Sequence, residues 1–440
     1  HISSLPLHSP PPQIQPRSIC PANGILETYW PSWKSQAPTQ IPWSDTNFAV
    51  YFVAGTASDP TSLHMPDGRS EEFVRAARDA GKKSLLSIGG WLGSYWFSEL
   101  VRTSDSRSTF ATTIYNTLLE FGFDGVDIDW EFPGSAGNGN PFNSADTDNF
   151  LAFLAVLRAI LGEKLITLAI PGTVWIGSDG SPLTNTAQFA AYVDYATLMA
   201  YDQWAGPFFA QENFLLLNLS ANLLLQGPYF YTTGPGSPIA SCNPVHAGET
   251  SVPNLLSYWV NSGFPACQIL LVTELRLILR PISRLQAHFR QVTITGRAPL
   301  PISQQLGRRS PRILIICLQS SSVSAAERLL QIKDWDSCTS TPFLFNPQSR
   351  TFITYEDAES TGIKAQFAEL QGLAGITLFD SAGLTSNVLV AVEQGLRGDR
   401  SDSGFNFSHH NVESSDTGAN WWDGYTTVDR SNADANHNPN

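Results

Sequence analysis

Cysteine is scarce in this chain of 440 residues. The five cysteines are dispersed and lack the short spacings that are typical of a zinc site. They are Cys20, Cys242, Cys267, Cys317 and Cys338. They permit at most two disulfides and leave one thiol over. We therefore expect no metal ion, and we expect no other cofactor.

The chain also lacks a long apolar run and an excess of basic residues. No stretch approaches the roughly 20 apolar residues of a membrane-spanning helix. Lys and Arg number 26 against 39 Asp and Glu, and the net charge is -13. Such acidity opposes binding to nucleic acid or to an anionic membrane, so we expect neither as a partner.

Aromatic residues, in contrast, are plentiful. Hydrophobic residues make up 42% of the chain and aromatic residues 11%, with twelve Trp, which is typical of a globular protein. A length of 440 residues allows one large domain or two to three ordinary ones. Clefts rich in Trp suit ligands with flat apolar faces, including sugars, although about half of these Trp are expected in the core.

Short apolar runs alternate with longer helical patterns from about residue 24. Eight runs predict strands: 25–30, 47–54, 84–90, 123–131, 165–170, 195–201, 267–271 and 374–379. Four helical patterns lie between them: 71–81, 108–122, 147–162 and 361–372. This alternation predicts a parallel sheet closed into a (β/α)8 barrel. The alternative is an open doubly wound sheet, but no Gly-rich dinucleotide fingerprint follows the first strand.

Composition divides the chain into a barrel and two flanking segments. Residues 1–22 carry six Pro and are interpreted as a disordered lead-in. The barrel domain is expected over 23–398, and a polar, disordered tail over 399–440. Within the barrel, the 89 residues of 272–360 are too many for one crossover. We expect them to form a small α+β insertion between strands 7 and 8.

One predicted strand carries an unusual row of acids, in "FGFDGVDIDWEFPG" (121–134). Side chains alternate across a strand, so Asp127, Asp129 and Glu131 share one face. The opposite face carries Val126, Ile128 and Trp130. In a barrel the apolar face packs under the helices and the acidic face points inward. Catalytic groups of barrels lie at the C-terminal ends of strands, where Glu131 is placed.

Three adjacent carboxylates cannot all ionise cheaply, so at least one is expected to have a raised pKa and to keep its proton near neutrality. A protonated Glu131 at a strand end suits a general acid that protonates a leaving oxygen. A divalent-metal site is the rival functional interpretation. A buried acidic cluster without a function is the structural alternative.

The same residues resemble a known family. "DGVDIDWE" (124–131) is similar to the DGxDxDxE signature of glycoside hydrolase family 18, which contains fungal-type class V chitinases. "SIGGW" (87–91) and "MAYD" (199–202) resemble the third-strand and sixth-strand motifs of that family. "YWPSW" (29–33) is similar to its cleft-lining first strand, and "TYEDAES" (354–360) to the end of its insertion. The resemblance covers about 24–398, except for 207–235 and 272–330.

The resemblance implies a retaining, substrate-assisted hydrolysis without an enzymic nucleophile. Glu131 would protonate the glycosidic oxygen while the 2-acetamido carbonyl of the substrate attacks the anomeric carbon. Asp129 would orient the acetamido group, and Asp127 behind it would share a proton. Tyr201 would hydrogen-bond the acetamido oxygen. The family resemblance assigns the remaining substrate contacts to Met199, Asp202, Trp91, Tyr29 and Trp33.

Two positions depart from the family pattern. Phe379 stands where the family usually carries a Trp on the floor of the -1 subsite, so weaker sugar stacking is expected. After "ILL" (269–271) the family typically shows Gly-x-x-x-Tyr-Gly, but "VTELRLILRP" follows here. Residues 272–312 contain eight Arg and one acid, Glu274. We interpret the aberrant segment around 272–330 as a reading-frame or splicing error; the alternative is a basic amphipathic helix that binds a surface. The segment 214–234 is interpreted as a retained intron or an unusual loop.

Three functional hypotheses follow. The first is an endo-acting chitinase, and its partners would be chitin or chitooligosaccharides. The second is a chitin-binding lectin or a catalytically impaired member of the fold. The third is a defective product whose barrel cannot close. The chain begins at His1, which suggests processing or truncation, and Asn218 and Asn406 head possible glycosylation motifs. We therefore expect a secreted, extracellular monomer.

Overall fold

The computed structural model describes the greater part of the expected barrel domain. The described residues are 24–66, 68–201, 236–240, 251–275, 278–281, 332–346 and 351–398. Several sequence predictions therefore lie outside the described residues. These are the lead-in 1–22, the tail 399–440, the segment 214–234, most of 272–330, Asp202, Asn218 and Asn406.

Eight parallel strands form a closed barrel. In chain order they are β1 (Ile25–Pro31), β2 (Phe48–Thr56), β4 (Lys83–Gly89), β5 (Gly125–Asp129), β6 (Leu165–Ile170), β7 (Tyr195–Leu198), β8 (Ile269–Glu274) and β13 (Gly375–Phe379). Each pairs with its neighbour, and β1 pairs with both β2 and β13, which closes the ring. A two-residue strand, β3 (Leu63–His64), pairs antiparallel with the end of β2. The predicted (β/α)8 barrel is confirmed, with every predicted strand present.

Helices lie between the strands on the outside of the ring. They are α1 (Ser70–Asp79), α2 (Gly90–Gly93), α3 (Phe97–Leu100), α4 (Ser104–Phe121), α5 (Asp146–Leu161), α6 (Ala187–Ala190), α7 (Val252–Asn261), α8 (Ala358–Leu370) and α9 (Ser386–Arg397). The four predicted helices correspond to α1, α4, α5 and α8, with ends shifted by a few residues. The longer helices α7 and α9 and the four-residue helices α2, α3 and α6 were not predicted.

Local chemistry explains where several of these helices begin and end. Thr103 caps α4 by accepting a hydrogen bond from the Ser106 amide, and Gly122 ends it in the left-handed conformation with φ 81°. Asp357 caps α8 through a reciprocal pair of hydrogen bonds with Ser360. These side chains satisfy backbone groups that a helix end leaves without partners.

A second sheet lies in the expected insertion. Its antiparallel strands, in the order of the sheet, are β10 (Ile332–Asp336), β11 (Thr341–Asn346), β12 (Thr351–Thr354) and β9 (Ile278–Pro281). These strands fall between β8 and β13 in the chain, so the insertion between strands 7 and 8 is confirmed. Because β8 pairs with both β7 and β13, the hypothesis of a barrel that cannot close is wrong. The reading-frame hypothesis stays a prediction.

The barrel separates two apolar regions. The outer core, between strands and helices, includes Val126, Ile128 and Trp130 of the acidic segment, as the alternation predicted. The barrel interior is a smaller cluster of inward-facing residues. It consists of Ile25, Tyr29, Phe48, Val50, Leu85, Tyr195, Leu270 and Ala374. Cys267 and Cys338 are each disulfide-bonded. No helix in the described part of the chain is long and apolar enough to cross a membrane.

Candidate active site

The acidic row lies at the mouth of the barrel. Strand β5 is buried along its whole length and ends at Asp129, earlier than the sequence predicted. Asp127 and Asp129 face the barrel axis, and Glu131 follows two residues beyond the strand, half-buried. The charge of Glu131 helps to raise the pKa of Asp129, so the two carboxyl groups are near each other. The C-terminal edge of the sheet therefore brings all three predicted acids to one place.

Asp127 is the deepest of the three and is fully buried. Its Oδ2 accepts hydrogen bonds from the hydroxyls of Tyr29 (3.0 Å) and Ser87 (2.8 Å), and its Oδ1 accepts one from Thr167 (2.7 Å). Burial raises the pKa of Asp127, while these three hydrogen bonds act to lower it. Donors from three different strands thus hold this carboxyl in one orientation.

Asp129 is held differently. Burial, then the charge of Glu131 and then that of Asp127 raise the pKa of Asp129 well above its usual value. This shift has the direction that the sequence predicted for at least one acid of the row. Its Oδ1 is buried and finds no hydrogen-bond partner among the described residues. A buried carboxyl with one unused oxygen is suited to pair with a ligand.

Two glycines of "SIGGW", at the end of β4 and the start of α2, allow a close approach to Asp129. Gly89 has φ 116°, and a Cβ there would lie 2.3 Å from the Asp129 carbonyl oxygen. A Cβ on Gly90 would lie 3.4 Å from Asp129 Oδ2. The Ser94 hydroxyl then donates to the carbonyl oxygens of Asp129 (2.9 Å) and Gly90 (2.8 Å). The loop after β4 is in this way fastened to the end of β5.

We expect Gly89→Ala to lower the free energy of unfolding by roughly 2–4 kcal/mol, because it combines a strained φ with a backbone clash. Urea denaturation measures the loss. Gly81→Ala is the matched control, since Gly81 also has a positive φ of 68° but nothing lies within 4 Å of its Cβ position. It should cost only about 1 kcal/mol, the strain of a left-handed backbone for a residue with a Cβ. Equal losses in the two variants would contradict the close approach at Gly89.

Aromatic side chains line the mouth beside the acids. Phe379 stacks on Tyr201 (ring centroids 6.4 Å apart, 12° between planes) and lies 5.7 Å from Tyr29. Phe52 packs against Tyr29, Phe379 and Trp33, with centroids 5.5–5.7 Å apart. Trp33 is 65% exposed, so its ring is available to a ligand. Four of the predicted sugar-binding or acetamido-binding residues therefore meet in one cluster.

The remaining predicted residues are placed around this cluster. Trp91, half-buried after β4, packs edge-to-face with Phe132 at 5.9 Å, next to Glu131 in the chain. Met199 is half-buried just beyond β7. Asp202 lies outside the described residues. The structure thus brings Trp91 to the acid-bearing segment from the neighbouring strand.

The loop after β1 is fixed against the end of β13. Lys34 forms an ion pair with Asp380, and the Ser381 hydroxyl donates to Gln36 Oε1 at 2.7 Å. Arg69 donates to the carbonyl oxygens of Lys34 (2.7 Å) and Gln36 (3.1 Å). These contacts hold the segment that carries Trp33 beside Phe379.

Sequence reasoning missed several residues of this site. Phe52, Ser87 and Thr167 touch the predicted acids or aromatics, yet no motif singled out their roles. Each occupies an inward-facing position of its strand, so the alternation of side chains along the strand could have placed it on the correct face. Two further buried acids were also not assigned to the site: Glu27 on β1, and Glu274, in register with Phe379 at the end of β8.

The metal-site alternative is not favoured by the geometry. Among the described residues, no group of three or more His, Cys, Asp or Glu is arranged to hold a metal ion. Asp127 has its carboxyl oxygens directed to three hydroxyls instead. The arrangement is better suited to moving protons than to coordinating a cation.

Comparisons with known proteins agree with this geometry. The model of glycosyl hydrolases family 18 matches residues 26–382. A chitinase-like effector of Moniliophthora roreri is 28% identical over 406 residues, covering 85% of this chain and 94% of its own length. A chitinase from Rhizomucor miehei has a similar structure, with TM-score 0.65, 22% identity, and coverage of 84% and 99% of the two chains. A mutant of the class V chitinase from Nicotiana tobaccum, solved in complex with NAG4, gives TM-score 0.63 at 18% identity, with coverage of 85% and 99%.

Proposed function

The chain belongs to glycosyl hydrolases family 18, and we propose that it is a chitinase. It would hydrolyse β-1,4 bonds between N-acetylglucosamine units by a retaining mechanism in which the substrate supplies the nucleophile. The observation that carries this proposal is the state of Asp129. It lies between an anchored Asp127 and a more exposed Glu131, and it has a raised pKa and an unused oxygen.

The roles of the three acids follow from their positions. Glu131 is the acid nearest the solvent, so it protonates the glycosidic oxygen and later activates water. The acetamido carbonyl of the sugar attacks the anomeric carbon and forms an oxazolinium ion. Asp129 orients the acetamido group and stabilises the positive charge that develops on it. Asp127, held by three hydroxyls, shares a proton with Asp129 and stays in place throughout.

The aromatic cluster supplies the sugar-binding surface. Tyr201 hydrogen-bonds the acetamido oxygen, and its ring is supported by Phe379. Trp33 and Trp91 offer faces on either side of the acids, and Tyr29 joins the cluster to Asp127. Met199 and Asp202 complete the -1 subsite. Chitooligosaccharides are the soluble ligands that this arrangement would take, and NAG4 is the one seen with the Nicotiana tobaccum chitinase mutant.

A turnover assay tests the proposal. The purified protein is incubated with chitohexaose and the products are separated with time. Hydrolysis would support a chitinase, and early release of products of several lengths would support endo action. Binding of the hexamer without any cleavage would refute a chitinase.

Binding without turnover is the second candidate function. It is favoured by one observation, the similarity to a chitinase-like effector from Moniliophthora roreri. Calorimetric titration with the same hexamer, followed by analysis of the recovered sugar, separates the candidates. A lectin binds the hexamer without cleaving it.

Replacing Phe379 by Trp is expected to lower KM for the oligosaccharide roughly two- to tenfold, because an indole adds stacking area worth about 0.5–1.5 kcal/mol. Steady-state kinetics measure the change. Leu119→Trp is the control, since Leu119 is exposed on α4, away from the barrel mouth. It should leave KM unaltered. A Phe379→Trp variant that folds with unchanged KM would show that Phe379 does not contact the sugar.

We also propose that the protein is secreted. Cys267 and Cys338 are disulfide-bonded, and disulfides persist mainly in oxidising compartments. An acidic, aromatic-rich hydrolase that acts on an extracellular polysaccharide fits this location. Mass spectrometry of the protein recovered from culture medium, with and without reduction, would test both the location and the disulfides.

A further inference from the structure

Glu27 is an acid in a place where packing alone would favour an apolar residue. It lies in the middle of β1, fully buried, on the same face as Ile25 and Tyr29. The barrel interior that it faces also contains a cluster of apolar and aromatic residues. A carboxyl group in such surroundings costs free energy unless it is neutral or fully paired.

The hydrogen bonds of Glu27 reach only one of its two carboxyl oxygens. The hydroxyls of Thr197 on β7 (3.1 Å) and Thr377 on β13 both donate to Oε2. The other oxygen, Oε1, is buried and has no hydrogen-bond partner in the described part of the chain. The two hydroxyls favour the ionised form, but a carboxylate would also need a donor at the buried Oε1.

The ionisable groups around Glu27 are acidic. Those with inward parity are Tyr29 on β1, Asp127 and Asp129 on β5, Tyr195 on β7 and Glu274 on β8. The inward positions of β2, β6 and β13 carry no ionisable group, and the one cation on the eight barrel strands, Lys83 of β4, is exposed at the opposite rim. Burial and then the charge of Asp127 raise the pKa of Glu27 to about 8, against the two threonine hydrogen bonds.

A neutral Glu27 matters for Asp127. Three hydroxyls donate to Asp127, which suits an ionised carboxylate. If Glu27 lost its proton, two negative charges would share the barrel interior, and Asp127 would be driven to take up a proton. A protonated Asp127 must donate to one of the hydroxyls that now donate to it. Its contacts with Tyr29 and its charge beside Asp129 would both change.

We propose that Glu27 is a positioning residue of the reaction, whose neutral carboxyl keeps Asp127 ionised and held by its three hydroxyls. Loss of the Glu27 proton then switches the enzyme off on the alkaline side. This inference rests on the proposed chitinase function. It adds a fourth carboxyl to the three of the signature, set deeper along the barrel axis.

The first test is the pH dependence of kcat/KM on chitohexaose. The parent should lose activity with a midpoint near pH 8, where Glu27 ionises. Glu27→Gln keeps the shape of the side chain and remains neutral, so its activity at about pH 5.5 should be within about twofold of the parent and should extend further into alkaline pH. Thr377→Val removes a hydrogen bond that favours the ionised form, so it should also shift the midpoint upward, by less.

The second test does not depend on turnover. Native Glu27 retains a proton that the unfolded chain loses above its ordinary pKa of 4.5, so the parent loses stability as pH rises from about 4.5 to about 8. Glu27→Gln does not suffer this loss. The Tm of the variant minus that of the parent should therefore be larger at pH 9 than at pH 5. A constant difference would overturn the inference, as would an unaltered alkaline limb.

The two tests also separate this inference from the proposed function. A parent that never hydrolyses chitin would refute the chitinase. The role of Glu27 would then be judged by calorimetric binding of chitohexaose to the same variants. Binding that weakens above about pH 8 in the parent but not in Glu27→Gln would support it. Binding with the same pH dependence in both would overturn it.

Discussion

Replacing Glu131 by glutamine is expected to slow hydrolysis of chitohexaose by ~10²–10⁴-fold, because the amide cannot give a proton to the glycosidic oxygen. Glutamine has nearly the same shape as glutamate. Because Glu131 lies just beyond β5 and is half-buried, the substitution should not disturb the strand. The Tm should stay close to that of the parent. Steady-state kinetics and calorimetric binding measure the two expected results, a large loss in kcat and retained affinity.

A matched control is Glu99→Gln, which neutralises an exposed acid on α3. It should leave kcat unchanged. A parent that turns over no faster than Glu131→Gln would show that the site only binds sugar. That outcome would support the lectin alternative.

The barrel could be predicted because its signals are local. The apolar and acidic faces of β5 repeat every two residues, and that period alone places Asp127 and Asp129 on the inner face. The order of strand and helix patterns then predicts a closed parallel sheet. The Glu131 prediction needed one further rule, that barrel chemistry lies at the C-terminal ends of strands.

The partners of the acids could not be predicted in this way. The hydrogen bond between Thr377 and Glu27 joins residues that are 350 positions apart in the sequence, and the one between Thr167 and Asp127 joins residues 40 positions apart. The stagger of neighbouring strands decides which inward-facing residues lie at the same height in the barrel. The sequence of one strand does not contain this information. For the same reason Phe52 remained unassigned, although its parity on β2 was visible.

The two longer helices that the sequence analysis did not predict, α7 and α9, differ in their sequence signals. In α7, the residues Val252, Leu255, Leu256 and Trp259 are buried at helical spacing, so the sequence carries a helical signal there. In α9 the three valines Val388, Val390 and Val392 favour a strand by intrinsic preference. Packing against α8, where the Gly395 Cβ position lies 2.6 Å from the Gly362 carbonyl oxygen, overrides that preference.

The largest expected loss of stability comes from a buried ion pair outside the site. Arg158 on α5 and Asp194, just before β7, lie 2.7 Å apart with side chains 5% and 0% exposed. Arg158 also donates to the carbonyl oxygens of Tyr192, Gly162 and Lys164. Asp194 accepts a further hydrogen bond from the Ile166 amide at 2.8 Å. Together these contacts join α5 to two neighbouring barrel strands.

Asp194→Ala should lower the free energy of unfolding by about 3–5 kcal/mol, because it leaves the Arg158 charge buried without that carboxylate. Arg102→Ala is the control, since its pair with Glu99 has side chains 55% and 52% exposed and should contribute less than about 1 kcal/mol. Urea denaturation compares the two. Replacing Arg158 and Asp194 together by Met and Leu should recover part of the loss, because neither charge then remains in the core. Equal losses for Asp194→Ala and Arg102→Ala would mean that water reaches Arg158 in the native state.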